Sequence, residues 1–230
     1  APSDSTLLWD SVRVLVRLLQ GAETIAEGVV TIVYRNHQRV AKKRTRAIRY
    51  TRGKDKKAAL YRDLITVTQN TLRYVEQASI TLCDPRIDSL ERAAWQAQLD
   101  HYNPLIGNVI DQTERRVFQG ESVPAAQKIV SIFEDHTDII VKGRRDVQYG
   151  HKINLSTGRS GLILDVVIEQ GNPADVDRLL AMLDRHIDQY GKAPRQMAAD
   201  GGYASVENLR EAKARDVDDV VFHKKRGLNV

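Results

Sequence analysis

Apolar residues return every three or four positions through most of the chain up to Gly120, which is the spacing of one helix face. The first stripe predicts a helix that is capped at Ser5 or Thr6 and ends at Gly21; it consists of Leu8, Val12, Leu15 and Leu19. Similar stripes predict further helices within residues 25–33, 60–75, 87–94 and 106–117. No strand-like alternation occurs among them, so the sequence predicts an all-α region over residues 1–122.

The pattern changes near Val123, where short β-branched segments replace the helical stripes. The segments 128–134 and 138–143 have this composition, and residues 147–155 alternate as a half-exposed strand does. A Gly- and Ser-containing turn then leads into the apolar run 162–170. The last two segments therefore predict a β-hairpin.

Helices and strands alternate after the hairpin. Asn172 and Pro173 are an N-cap and a first-turn proline for a helix that Gly191 ends. A short strand at 196–199, a helix from about Ser205 and a last strand at 220–222 follow. This succession predicts a mixed α/β sheet over residues 123–230.

Composition excludes several classes of protein. Hydrophobic residues are 42% and charged residues 28%, which is ordinary for a globular domain, and no run approaches the roughly 20 apolar residues of a membrane span. The N-terminal sequence lacks the basic start and cleavage site of a signal peptide. Cys83 is the single cysteine, which excludes an internal disulfide and fits a reducing compartment. These features predict a cytoplasmic protein without a membrane partner.

Positive charge is concentrated in one segment. The net charge is +5, yet residues 35–57 hold eleven Lys or Arg against one acid. The eleven are Arg35, Arg39, Lys42, Lys43, Arg44, Arg46, Arg49, Arg52, Lys54, Lys56 and Lys57. A solvated helix face is the alternative, but such faces normally intersperse acids, so the segment favours contact with a phosphate backbone.

For two smaller basic clusters, the sequence favours DNA contact and plain solvation equally. They consist of Lys142, Arg144 and Arg145, and of Lys224, Lys225 and Arg226 after His223. The six histidines show no metal-ligand spacing.

The sharpest candidate for chemistry is Asp200 in the junction MAADGGYAS. Its carboxylate follows a predicted strand and precedes a predicted helix, and ligand sites of open α/β sheets lie at such strand ends. The paired glycines would let a phosphodiester approach closely. Asp-Gly is also an ordinary turn sequence, so local pattern alone leaves both interpretations open. Asp165, which interrupts an apolar strand, would face either solvent or the same crevice.

Three blocks together resemble the catalytic core of bacterial insertion-sequence DDE transposases, which have an RNase H-like fold. They are RRDVQYGHKINLSTGRSGLILDVVIEQGNPAD (144–175), AADGGYAS (198–205) and DVVFHKKRGL (219–228). SDSTLLWDSVRVL (3–15) and the helices after it resemble an insertion that some of these enzymes carry between the first and second core strands. The resemblance implies a partial RNase H-like mixed sheet with a large N-terminal helical insertion.

In that family two Asp and one Glu hold two divalent metals, usually Mg²⁺, for phosphodiester cleavage and strand transfer. The resemblance places the second acid on Asp200. The first belongs on a strand that should precede this chain; Asp4 is the nearest carboxylate, and helix capping is the favoured role for it. No acid after Asp200 has the arrangement expected for the Glu. The resemblance thus implies a fragment with one catalytic carboxylate, inactive by itself.

Three functions remain open at this point. The first is a fragment of a transposase that acts on element-end and target DNA, near the nucleoid, as a homo-oligomer when complete. The second is a non-catalytic truncated product that binds DNA or transposase subunits. The third is an RNase H-like nuclease unrelated to transposition.

Overall fold

The computed structural model describes residues 3–142 and 146–223, without the side chains of residues 126, 142 and 146. It divides into two compact units, residues 1–137 and 138–230. The sequence predicted a boundary after residue 122, but the segment that follows packs within the first unit. The mixed α/β class with N-terminal helices is confirmed.

The first unit is a helical bundle around a central helix. Its helices are α1 (Asp4–Ile25), α2 (Gln38–Tyr50), α3 (Lys54–Thr81) and α4 (Ser89–Glu114), and a π-helical turn, Arg115–Gln119, extends α4. One apolar core joins all four, and the inner stripe of α1 is completely buried at Leu8, Val12, Leu15 and Leu19. This stripe is the one that the spacing predicted.

The ends of α1 differ from the prediction. Ser3 caps the helix, because its side chain accepts a hydrogen bond from the Thr6 amide. Gly21 does not end it but lies against the Trp95 ring, 3.5 Å from the position of an added Cβ. The Trp95 indole also donates to the Leu18 carbonyl at 2.7 Å. Close approach of α4, rather than helix termination, therefore explains this glycine.

Two other predicted elements of this region are absent from the described residues. Residues 30–37 are irregular rather than helical, and Gly28 has a φ of +75° in the turn before them. The predicted strand at 128–134 is wrong, although Ile132 is buried in the bundle core. Gln112 binds both backbone polar groups of Ile129, at 2.9 and 3.1 Å, and so supplies the partner that a strand neighbour would have supplied.

The described part of the second unit contains three two-stranded pairs. They are antiparallel β1 (Asp138–Lys142) with β2 (Asp146–Gly150), antiparallel β3 (Ile153–Thr157) with β4 (Ile163–Ile168), and parallel β5 (Gln196–Ala199) with β6 (Asp219–Phe222). The β3–β4 pair confirms the predicted hairpin. The single strand predicted over 147–155 is divided, because Gly150 has a φ of +144° and the two halves pair with different strands.

Two helices accompany these strands, α5 (Leu179–Tyr190) and α6 (Val206–Ala214). Ser205 caps α6 as the sequence predicted. The start predicted for α5 at Asn172 is wrong, because the Lys152 ammonium donates to the Pro173 carbonyl and holds that stretch outside the helix. A small core between α5 and α6 is formed by Leu183, Ala212 and Val217, with Met197 and Val220 packed against it.

Candidate active site and basic face

Asp200 stands directly after β5, at the start of the 3₁₀ turn Gly201–Tyr203. Its residue is exposed, and its carboxylate accepts a hydrogen bond from the Gly201 amide at 2.6 Å. The sequence placed it at the end of a strand before a helix, and the structure has it there. An exposed carboxylate held by its own turn is available to a ligand.

A cleft of about 530 Å³ opens beside Asp200. One wall is formed by β3 and the turn after it, and the other by β5. The α5 residues that line the cleft are Leu179, Met182, Leu183 and His186. The Ser156 hydroxyl oxygen on the β3 wall is buried and has no hydrogen-bond partner among the described residues. The cleft thus separates two strands that pair elsewhere, β3 with β4 and β5 with β6.

A buried polar chain joins the Asp200 turn to the hairpin. The Tyr203 hydroxyl donates to Asn154 Oδ1 at 2.6 Å, and Asn154 Nδ2 donates to Glu169 Oε1 at 2.7 Å. Arg178 in turn donates to Glu169 Oε2 at 2.6 Å. Asn154 and Glu169 are 2% and 5% exposed, so both rely on these partners. The sequence pattern did not predict these hydrogen bonds, because their partners lie far apart along the polypeptide.

The ionisation of Tyr203 is suppressed by its surroundings. Burial raises the pKa of the Tyr203 hydroxyl, and the negative charges of Asp175, Asp200 and Glu169 raise that pKa further. Each effect disfavours a phenolate. Tyr203 is therefore a neutral hydrogen-bond donor at physiological pH.

Gly202, the second glycine of the turn, has no room for a side chain, although its backbone conformation does not require glycine. A Cβ on Gly202 would lie 2.5 Å from Asp175 Oδ2, closer than real Cβ contacts. Asp175 is held in place by the Lys152 ammonium, 2.5 Å from its other carboxylate oxygen. The turn that carries Asp200 is thus packed tightly against the loop after β4.

Two other acids weighed from the sequence have structural partners. Asp165 receives two hydrogen bonds from Arg185 of α5, at 2.6 and 2.7 Å, which lower the pKa of its carboxyl. Asp165 therefore faces α5. Asp4 lies in the first turn of α1, 6% exposed, where Arg116 binds both its oxygens at 2.7 and 2.8 Å. Asp4 follows the N-cap Ser3 and is a buried ion-pair partner.

The described residues alone do not fit a two-metal site. No group of three or more His, Cys, Asp or Glu that could hold a metal ion occurs within residues 3–142 and 146–223. Asp200 contributes hard carboxylate oxygen, which suits Mg²⁺, but a single carboxylate cannot hold two cations.

The predicted DNA-binding residues of the first unit lie along α2 and its flanks. Ala41, Thr45 and Ile48 of α2 are buried, and the cationic residues occupy its other sides. Eight of these cationic residues are exposed, and together we call them the basic face: Arg35, Arg39, Lys42, Lys43, Arg46, Arg49, Arg52 and Lys54. Arg44 differs, because it is half-buried and pairs with Asp63 of α3. Lys42 also lies over the Trp9 ring, 5.9 Å from its centroid.

The remaining basic positions lie outside the description. Neither the Lys142 side chain nor residues 144, 145 and 224–226 are described, so the predictions for Arg144, Arg145, Lys224, Lys225 and Arg226 stay predictions. None of the described helices is long and apolar enough to cross a bilayer.

Comparison with known proteins decides the family. A family model described as a transposase DDE domain matches residues 109–227, just over half of the chain. The chain belongs to this transposase family. The matched region contains Asp200 and the polar chain that joins its turn to β3. No curated protein and no solved structure gives a significant match.

Membership gives the broad function. DDE transposases are DNA-cleaving enzymes of transposition and recombination, they act on DNA, and the family generally uses divalent metal. The insertion-sequence identification made from the three sequence blocks is thereby confirmed at the level of the family. Which residues carry the chemistry is a separate question.

Proposed function

We propose that this transposase cuts and joins DNA strands at the ends of an insertion sequence, with Asp200 as a catalytic carboxylate. The observation that supports this most is the position of Asp200 within the matched domain. It is an exposed acid at the end of a strand, beside an open cleft, in a turn fixed by buried contacts. Ligand sites of open α/β sheets lie at such strand ends.

Divalent cations, which we propose to be Mg²⁺, would stabilise the attacking and leaving oxygens of an in-line phosphodiester displacement. The described residues provide one carboxylate for them, so we propose that the other two acids come from polypeptide outside these residues. The 230-residue chain is then expected to be inactive alone.

The cleft offers a place for one of those acids. It is lined by side chains of α5 and by residues of β3 and β5, two strands that pair with β4 and β6 rather than with each other. An extended strand between them would satisfy both backbones, and a carboxylate on that strand could reach Asp200. This supports the proposal that the helical region is an insertion between the first and second core strands.

DNA would be held by the basic face of α2. Eight exposed cations on one short helix and its flanks form a positive surface. Contacts of Lys and Arg with phosphates position DNA without reading its sequence. We further propose that the complete enzyme is a homo-oligomer acting on cytoplasmic, nucleoid-associated DNA.

A second function is favoured by one observation: Asp200 is the single candidate catalytic carboxylate among the described residues, which hold no cluster of possible metal ligands. The chain would then be a non-catalytic product that binds DNA or transposase subunits. It requires the basic face but not Asp200.

The reaction itself separates these functions. The chain, extended with its native flanking sequence, is incubated with element-end duplexes, target DNA and Mg²⁺, and the products are resolved on denaturing gels. Joined products of element end and target support the proposal. Cleavage without joining would indicate an RNase H-like nuclease, and binding without either product would indicate the non-catalytic function.

A further inference from the structure

We propose that Asn154 and Tyr203 are positioning residues for Asp200. Their hydrogen bond ties the Asp200–Tyr203 turn to β3 and so sets the direction of the Asp200 carboxylate. This inference rests on the proposed catalytic role of Asp200.

The link from Tyr203 to Asp200 is short and rigid. The Tyr203 amide donates to the Asp200 carbonyl at 3.0 Å, which closes one 3₁₀ turn between them. The Tyr203 carbonyl is held independently by the Asn208 side chain at 2.8 Å. The Tyr203 ring and the Asp200 backbone are therefore joined through one hydrogen-bonded turn.

Asp200 has few contacts that could orient it by themselves. Within the described residues its carboxylate accepts one side-chain hydrogen bond, from the adjacent Gly201 amide. The direction of the carboxylate is consequently set by the backbone of the turn. That backbone is anchored at its far end through Tyr203.

The anchor has a defined polarity. Ionised Glu169 can only accept hydrogen bonds, so it takes the amide group of Asn154 on one oxygen and Arg178 on the other. The Asn154 carbonyl oxygen is thereby turned toward Tyr203. Since burial and neighbouring carboxylates keep Tyr203 protonated, its hydroxyl donates to that oxygen. The donor and acceptor of each of these three hydrogen bonds therefore match.

The arrangement differs from ordinary core stabilisation in what it connects. Asn154 lies on one wall of the cleft, and Asp200 ends the strand that forms the other wall. The Asn154–Tyr203 hydrogen bond is thus a direct link between the two walls. A change in this bond should alter the geometry at Asp200 more than the affinity for DNA.

The test compares Tyr203→Phe with Tyr190→Phe. Both substitutions remove one hydroxyl and keep the ring, but the Tyr190 hydroxyl is exposed and reaches only the Leu164 carbonyl at 3.4 Å. In the 230-residue chain, amide hydrogen exchange is followed by NMR at Tyr203 and Ala204, whose amides donate to the Asp200 and Gly201 carbonyls. We expect exchange there to accelerate about three- to tenfold in Tyr203→Phe, the loss of about one hydrogen bond, and not in Tyr190→Phe.

The same pair of substitutions is then made in the flank-extended enzyme, with Asp200→Ala as reference. We expect Tyr203→Phe to lower kcat for joining ~10- to 100-fold at an unchanged KM for DNA, because a small misplacement of a reacting group is costly. If Tyr203 had a purely structural role, Tyr203→Phe would lower the amount of folded enzyme but would not lower kcat per folded enzyme at an unchanged KM.

The outcomes separate the two proposals. Unchanged exchange in Tyr203→Phe, or an unchanged kcat while Asp200→Ala is inactive, overturns the positioning inference and leaves the role of Asp200 intact. An active Asp200→Ala enzyme overturns the proposed function, whatever the exchange data show.

Discussion

At the scale of single residues, the turn that carries Asp200 is held by side chains far from it in the sequence. An acid between a short strand and two glycines is a local pattern. The partners of the Asp200 turn are not local, since Tyr203 and Asn154 are 49 positions apart and Asn154 and Glu169 are 15 apart. Asn154 lies within one predicted strand and Glu169 near the end of the next. A polar residue in a half-exposed strand can face either solvent or a buried partner, so neither position predicted the hydrogen bonds.

Replacing Gly202 tests the tight packing of the turn. Gly202→Ala should lower the free energy of unfolding by about 1–3 kcal/mol, because the new Cβ meets Asp175. The penalty should shrink in an Asp175→Ala background, measured by urea denaturation of all four proteins. Gly107→Ala, in an open position of α4, should instead be neutral or stabilising. An equal penalty in both backgrounds would show that Asp175 is not the obstacle.

Breaking the Asp4 pair tests a second residue-scale claim. Arg116→Met should cost about 1–3 kcal/mol, since it leaves the Asp4 carboxylate buried, though the arginine is partly exposed. Arg210→Met removes an ion pair that is exposed on both sides and should cost less than about 1 kcal/mol. Chemical denaturation compares them. Equal losses would mean that burial of Asp4 has no energetic consequence.

At the scale of elements, helical periodicity was the more reliable signal. It found α1, α3 and α4 because their stripes meet one core. Helical periodicity failed over residues 30–33, and β-branched composition failed over the segment 128–134. Ile32 and Ile132 are buried there without regular structure. Alternation of polar and apolar residues continues through Gly150, so the sequence predicted one strand over 147–155. The positive φ of Gly150 divides this stretch into two strands that pair with different partners.

The contact between β4 and α5 should depend on pH. Arg185 holds the pKa of Asp165 below its usual 3.8, so the pair stabilises the fold above that value and loses its effect as the pH falls through the lowered pKa. Arg185→Gln should therefore lower the urea midpoint at pH 6, and its difference from wild type should diminish below about pH 4. Arg195→Gln, in a loose exposed pair, is the control. A pH-independent difference would contradict the assignment.

The basic face of α2 should bind DNA through phosphates. In the 230-residue chain, Arg46→Ala with Arg49→Ala should weaken duplex binding and reduce the slope of log affinity against log salt by about 2. Fluorescence anisotropy at several salt concentrations measures both. Arg44→Ala and Arg73→Ala are matched controls, since Arg44 pairs with Asp63 and Arg73 lies on α3 outside the basic face. Equal slopes for all variants would remove the basic face from the DNA-binding proposal.

At the scale of the whole molecule, the two units differ in how their structure is maintained. The helical unit has one extensive apolar core, whereas the residues described in the second unit form a small core and three two-stranded pairs. Aliphatic residues of its β3–β4 pair, such as Ile153, Leu155 and Ile168, are more than half exposed. Two-stranded pairs are weak alone, so the second unit depends on side-chain links such as those of Glu169 and Asp175.

The central claim is that Asp200 is catalytic in this transposase, and one rate decides it. The rate of DNA joining by the flank-extended enzyme is measured for wild type, Asp200→Asn and Asp188→Asn, the last replacing an exposed carboxylate of α5. The account predicts loss of joining by about a thousandfold or more in Asp200→Asn, with DNA binding retained, and wild-type joining in Asp188→Asn. Joining at the wild-type rate in Asp200→Asn would contradict it.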